Sequence, residues 1–161
     1  MKTISIDDLS SLSSQAEQSP RKRMNRNLHS ELSDPIQRLA IAMEPDTYIR
    51  PHRHLKTWEI LTPLRGRFVV LTFDDDGVVI DRAVLGEGAS VVEIPAATWH
   101  AVLSLDTGGV IFEVKHGPYA PFKEEDFASW SPSAEDDKHK ELMLWFRDAE
   151  GGQHWPGCGT R

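Results

Sequence analysis

The feature that most restricts the fold of this chain is a series of short apolar segments between residues 36 and 115, separated by turn-forming residues. The segments are rich in β-branched and aromatic residues, and proline, glycine and aspartate stand between them. We predict strands at residues 36–43, 57–61, 67–73, 78–85, 90–94, 99–105 and 110–115. Many short strands at close spacing indicate an antiparallel sandwich or barrel and argue against alternating β-α units.

Helical patterns flank this strand region. At residues 6–18, Leu9 and Leu12 are three apart and Pro20 follows, which predicts a short N-terminal helix. Residues 123–130 and 134–147 also read as helical, and Leu142, Trp145 and Phe146 would form one apolar stripe packed against the barrel. We therefore expect an N-terminal helix and arm at 1–35, a β-barrel at 36–120, a helical extension at 121–150 and a disordered tail at 151–161.

Composition limits the partners and the compartment. The 161 residues contain 18 basic and 25 acidic side chains, and the formal charge of -7 argues against nucleic acid and anionic membranes as partners. The basic segment 21–26 is expected to be a solvated connector. A single cysteine, Cys158, excludes an intramolecular disulfide and fits a reducing cytoplasm. No export segment and no membrane span are expected.

Four metal-ligating side chains form the most informative pattern. His52 and His54 are two residues apart, so an extended chain presents both imidazoles on one face. Glu59 lies at an odd offset and can join them only if the chain bends between residues 55 and 57. His100 follows a proline turn and could enter the barrel from a facing strand. Three imidazoles and a carboxylate suit one divalent Zn, Fe, Mn, Ni, Co or Cu ion better than Mg or Ca, without naming the metal.

Other polar residues on neighbouring strands are candidates for binding a small-molecule substrate. In segment 110–115, Ile111, Glu113 and Lys115 alternate with a purely apolar set. If the first set lines the interior, the buried charges need each other or an anionic ligand; otherwise they face solvent. Asn25 and His29 could reach over the barrel from the arm, or serve as caps or surface residues. The full candidate set is Arg38, Tyr48, Arg67, Glu113, Lys115, Tyr119, Asn25 and His29.

The spacing of the first ligands matches a known motif. His-x-His, four residues, Glu, six residues, Gly is the first cupin motif, present here as His52, His54, Glu59 and Gly66. The second motif, Pro-x-Gly-x-x-His, is present at residues 95–100, ending in His100. The chain thus resembles the cupin superfamily, which implies a jelly-roll barrel, also called a double-stranded β-helix, with these histidines and the glutamate as metal ligands.

Three positions depart from the cupin motifs. Asp46 stands where the first motif opens with glycine, Ala97 occupies the glycine position of the second, and Ser104 stands where the second usually ends with asparagine. These departures affect the turns and leave the four ligand positions intact.

Over nearly its whole length the chain resembles the WbuC-type cupin metalloproteins, through residues 23–29, 47–54, 113–119 and 127–132. This resemblance implies a cupin barrel with an N-terminal extension and a C-terminal helical piece. Members often lie in bacterial surface-polysaccharide gene clusters, and cupins commonly form homodimers through sheet edges.

Two functions remain open at this stage. The first is a metal-dependent enzyme, of oxygenase or of isomerase or lyase type, acting on a small polar metabolite or sugar derivative. In it Lys115, Tyr119 and Arg38 would orient the substrate, and no general base is identified. The second is a non-catalytic module that binds a sugar or metabolite, with the ion as part of the receptor or of the structure.

Overall fold

The structure, a computed structural model, describes residues 1–157 and contains two helices, eight strands and one 3-10 turn among them. Cys158 and the rest of the predicted tail to Arg161 lie outside the described residues. The elements are α1 (Ile6–Gln18), β1 (Arg23–Asn27), β2 (Ile36–Met43), β3 (Glu59–Arg65), β4 (Phe68–Phe73), β5 (Val79–Leu85), β6 (Val92–Ile94), β7 (Trp99–Ser104), β8 (Gly109–His116), the 3-10 turn Glu124–Asp126 and α2 (Lys138–Asp148).

The strands form two antiparallel sheets. One sheet has the order β1-β2-β8-β3-β6, and the other has the order β5-β4-β7, with His52 bridging to His100 at its free edge. For comparison with a jelly roll, β2 is counted as strand 1, the His52 segment as strand 2, and β3 to β8 as strands 3 to 8. The first sheet then has the order 1-8-3-6, with β1 added at its edge beside strand 1, and the second sheet has the order 2-7-4-5. This interleaving is the order of a jelly roll, so the predicted cupin-type barrel is confirmed.

The arm and the region after β8 differ from prediction. Residues 21–26 were expected to be a solvated connector, but residues 23–27 form the edge strand β1 on β2, so the five-stranded sheet begins before residue 36. The predicted helix at 123–130 is wrong beyond one 3-10 turn. The reason is that its backbone bonds with the site segment: Arg53 N–H donates to Asp126 O at 3.0 Å and Ala128 N–H donates to Pro51 O at 2.9 Å.

The C-terminal residues also pack on the barrel. Val79 N–H donates to Gln153 O at 2.9 Å, and Gly152 N–H donates to Val79 O at 2.8 Å. Trp155 is 4% exposed and belongs to the core beneath α2. The expectation of a disordered tail is therefore corrected for residues 151–157, because the apolar ring of Trp155 anchors them.

Three apolar layers hold the molecule together. Inside the barrel, Phe68, Leu61 and Ile111 pack between the two sheets. Helix α1 covers the outer face of the five-stranded sheet through Leu9, Leu12 and Ala16, and its N-terminus carries a capping box formed by Ser5 and Asp8. Helix α2 covers the other sheet with Leu142, Met143 and Phe146, with Trp145 packed beside them, as the apolar stripe predicted.

No helix within residues 1–157 is long and apolar enough to cross a membrane.

Candidate metal centre

Four side chains converge at one end of the barrel interior. One ligand atom from each of His52, His54, Glu59 and His100 lies within 4.8 Å of the others. His100 is on β7, Glu59 is the first residue of β3, and the two remaining histidines lie on the segment that bridges to β7. The predicted bend is present at residues 55–56, and it brings Glu59 to the same point as the histidine pair.

Backbone hydrogen bonds orient the imidazole rings. The Nδ1 of His52 lies 2.9 Å from Arg50 O, and the Nδ1 of His100 lies 2.9 Å from Thr98 O. Since a carbonyl only accepts, each Nδ1 carries the proton and each Nε2 keeps its lone pair for the centre. His54 is held through its backbone, because its carbonyl accepts from Ala97 N–H at 2.8 Å.

The centre contains buried polar atoms without partners. Within residues 1–157, His54 Nε2, Glu59 Oε2 and His100 Nε2 are buried and accept or donate no hydrogen bond. Glu59 Oε2 lies 3.1 Å from His100 Nε2 and 3.7 Å from His54 Nε2. Lone pairs buried in this way cost free energy unless a cation or proton satisfies them. The residues therefore fit a divalent transition metal.

Electrostatics keep the histidines ready to act as ligands. Burial, with added repulsion from His100, lowers the pKa of His52 well below its ordinary range. Burial and the charge of Lys115 lower the pKa of His54 to about 4. Burial opposes ionisation of Glu59, but the interaction with His100, whose Nε2 lies 3.1 Å away, and the charge of Lys115 outweigh burial, so the Glu59 pKa lies well below the ordinary value. Near neutral pH, His52 and His54 are thus neutral imidazoles and Glu59 is a carboxylate, the forms that bind metals.

Two predicted substrate residues border the cluster. In the β3–β8 pairing, Lys115 stands opposite Glu59 and Glu113 stands opposite Leu61. Lys115 Nζ lies 2.7 Å from Glu113 Oε1, and Glu113 is 8% exposed. The set Ile111, Glu113 and Lys115 therefore faces the interior, and the alternate apolar set faces α1. Burial and the charge of Glu59 raise the pKa of Glu113 to about 8.

Tyr119 stays close to this pair. It lies on the loop after β8, is 56% exposed, and its backbone N–H donates to Leu32 O at 2.8 Å. Its hydroxyl is among the groups that raise the pKa of Lys115, behind Glu113 and Glu59, against the opposing effect of burial.

Three predicted substrate residues lie elsewhere and are not retained. Arg67 binds Asp106 and Glu87 beyond the start of β4, the end away from the Thr72–His100 pair. Arg38 pairs with Val114 on the outer face of its sheet, where its guanidinium reaches Asp34. Tyr48 Oη donates to Pro132 O, and its ring packs on His139 beneath α2. The alternation of side chains along a strand does not by itself tell which of the two faces lies toward the barrel interior.

The arm residues have local roles. Asn25 is exposed on β1 and donates to the Asn27 side chain at 3.0 Å. His29 is 4% exposed, and the backbone N–H of Arg38 donates to its Nδ1 at 3.0 Å. No contact in the described structure joins either residue to the cluster.

One residue of the site was missed from sequence. The Phe122 ring lies 4.6 Å from the His52 ring and 5.2 Å from the His54 ring, measured between centroids, and it remains 41% exposed. It covers the outer side of the cluster. Its place in an irregular loop hid it, although an aromatic residue flanked by proline and charge was a usable indication.

Two solved structures with TM-scores of 0.50 share the fold of this chain. A conserved protein of unknown function from Streptococcus pyogenes, SPY1581, is 15% identical, with 74% of this chain and 93% of that chain covered and a TM-score of 0.50. The protein TT1209 from Thermus thermophilus is 19% identical over 61% of this chain and 86% of its own, also with a TM-score of 0.50. The Cnp3 cupin domain of Schizosaccharomyces pombe aligns at 10% identity over 59% and 64%, with a TM-score of 0.47.

No curated protein matches the chain. A family model described as "Domain of unknown function (DUF6016)" matches residues 4–85, which include His52, His54 and Glu59 but end before His100. This match covers just over half of the chain. The protein is therefore a member of the DUF6016 family, built on a cupin-type jelly-roll barrel.

Proposed function

We propose that this protein binds one divalent transition-metal ion through His52, His54, Glu59 and His100. The observation that carries the proposal is that His54 Nε2, Glu59 Oε2 and His100 Nε2 are buried, have no hydrogen-bond partner within residues 1–157, and belong to a set of ligand atoms within 4.8 Å of one another. A closed protein core leaves such atoms unsatisfied at a cost of about 1–3 kcal/mol each, and an ion removes that cost.

We further propose that the ion serves an enzyme acting on a small polar metabolite or sugar derivative. A bound ion would supply Lewis acidity, or a dioxygen site if it is iron. Phe122 covers the outer side of His52 and His54. Lys115 is paired with Glu59 on the neighbouring strand, and Tyr119 lies within electrostatic reach of Lys115. Burial and the charge of Glu59 raise the pKa of Glu113 to about 8, close to neutral pH, so this carboxyl group can exchange a proton with a substrate. This chemistry is consistent with an oxygenase or with an isomerase or lyase.

The rival proposal is a non-catalytic binding module. The Glu113–Lys115 ion pair favours it, because a carboxylate held at 2.7 Å by an ammonium is a restrained base. Tight ligand binding without product, or without substrate-dependent oxygen uptake, would favour the module over the enzyme.

Cellular context extends these proposals. The WbuC-like segments at residues 23–29 and 113–119 support a cytoplasmic role linked to surface-polysaccharide biosynthesis. Within residues 1–157, the outer edges of β1 and β6 pair with no further strand, and these edges support homodimer formation through a sheet edge.

The metal proposal is tested by elemental mass spectrometry on protein purified without a nickel column. The parent is expected to hold about one equivalent of a transition metal, and a His52→Ala/His100→Ala variant is expected to hold little. A His116→Ala/His154→Ala variant is the matched control, because it removes two exposed histidines outside the cluster. A metal-free parent that also refuses added metal would overturn the proposal.

A further inference from the structure

Lys115 has hydrogen-bonding capacity that the protein does not use. An ammonium carries three N–H donors. Within residues 1–157, its Nζ has one ion-pair or hydrogen-bond partner, Glu113 Oε1 at 2.7 Å. The side chain is only 20% exposed, so bulk water has limited access to the remaining donors. Two donors are left for a ligand in the barrel.

The position of Lys115 directs these donors toward the metal cluster. Lys115 and Glu59 are directly paired residues of β8 and β3, and paired residues project to the same face of a sheet about 5 Å apart. The Lys115 charge also acts on His54, where it is the largest influence after burial. A ligand beside the cluster would therefore meet the ammonium.

The charge balance of this space favours an anion. A divalent ion among three neutral imidazoles and the Glu59 carboxylate leaves one net positive charge, and the Glu113–Lys115 pair adds none when Glu113 is ionised and one more when Glu113 is protonated. A neutral ligand would leave this positive charge uncompensated.

We propose that the ligand of this site is a small carboxylate whose anionic group is bound by Lys115. This inference rests on the proposed metal centre and adds the chemical class of the ligand. Lys115 is then a ligand-positioning residue, and Glu113 holds its ammonium in place.

The test is isothermal titration calorimetry on protein whose metal content has first been measured. Lactate is the probe, and 1,2-propanediol, which replaces the carboxylate with a hydroxymethyl group, is its neutral counterpart. Lys115→Met removes the ammonium. That change leaves the buried Glu113 carboxyl without its ion-pair partner. A Glu113→Gln/Lys115→Met variant therefore removes both charges together and guards against misfolding. Lys123→Met, at a lysine whose side chain is 77% exposed, is the matched control.

The metal-loaded parent and Lys123→Met are expected to bind lactate at least roughly tenfold more tightly than the diol, because a charge-assisted hydrogen bond is lost with the diol. Both variants lacking Lys115 should retain metal and lose this preference. Equal lactate affinity with and without Lys115, or no lactate binding by the loaded parent, overturns the inference while leaving the metal centre standing. If the parent protein binds no metal, the proposed metal centre itself is overturned, and the inference that depends on it falls with it.

Discussion

The interior of the barrel has two halves built on the same strands. In the open half, β7, β3 and β8 present His100, Glu59 and Lys115, and buried polar atoms lack partners. In the closed half, the same three strands contribute Val102, Leu61 and Ile111 to an apolar cluster around Phe68, Val70 and Leu85. On each of these strands, only a few residues separate the metal-ligand cluster from the apolar core that supports it.

The two halves contribute in opposite directions to the free energy of unfolding. Apolar burial in the closed half stabilises the fold, and unsatisfied polar atoms in the open half cost free energy. Side chains of the closed half can therefore be changed to alter stability with little effect on metal content, and side chains of the open half can be changed to alter metal content and pH response.

The largest expected effect comes from emptying the closed half. Phe68 is completely buried, and Phe68→Ala should lower the free energy of unfolding by about 3–5 kcal/mol, through lost burial and a new cavity. Urea unfolding measures the loss. Metal content per folded protein should stay at the parent value, and its disappearance would contradict the separation of the halves. Arg67→Ala, next to Phe68 but 46% exposed, is the control and should change stability much less.

The next effect is a pH response confined to the open half. The pKa of His54 is about 4 in the folded chain against an ordinary 6.5, so between these values the unfolded chain binds a proton that the folded chain does not. Stability of the metal-free protein should therefore fall as pH drops below 6.5, by about 2 kcal/mol at pH 5 from His54 alone. His52 adds in the same direction.

Urea unfolding of metal-free parent and His54→Gln at pH 7 and pH 5 measures this response. The variant should show the smaller loss on acidification. An identical pH dependence in both proteins would mean that His54 does not carry the effect.

The smallest effect contrasts the turns of the two motifs, one at each end of the barrel. Gly66, beside the closed half, has φ +74°, and a Cβ there would lie 3.3 Å from Gly109 Cα. Ala97, beside His100, holds φ +63° without being glycine. Left-handed backbone costs other residues about 1–2 kcal/mol, so Ala97→Gly should stabilise the protein by about 1 kcal/mol and Gly66→Ala should destabilise it by at least that. Thermal unfolding of both variants checks the opposite signs.

Most strands were predictable because their cause is local. Helix α1 and strand β2 match their predicted bounds, since capping, apolar spacing and turn residues act over a few positions. Strand β1 was not predictable, because Arg23 and its polar neighbours have no apolar alternation, and β1 exists through its pairing with β2. Residues 126–128 were predicted helical, yet their backbone pairs with residues 51–53.

Strand alternation in the sequence indicated an antiparallel sandwich or barrel, and motif spacing indicated the four candidate ligands, because both are short-range properties. The resemblance to the cupin motifs implied the jelly-roll form of the barrel. The sequence left undecided whether Glu113 and Lys115 face solvent, and it did not indicate that Arg67, Arg38 and Tyr48 contact groups away from the four ligands. Only the tertiary structure decided these points, because the end and face a strand residue occupies depend on register with partners distant in the chain. The same is true of Phe122, which reaches the histidines from more than 60 residues away in sequence.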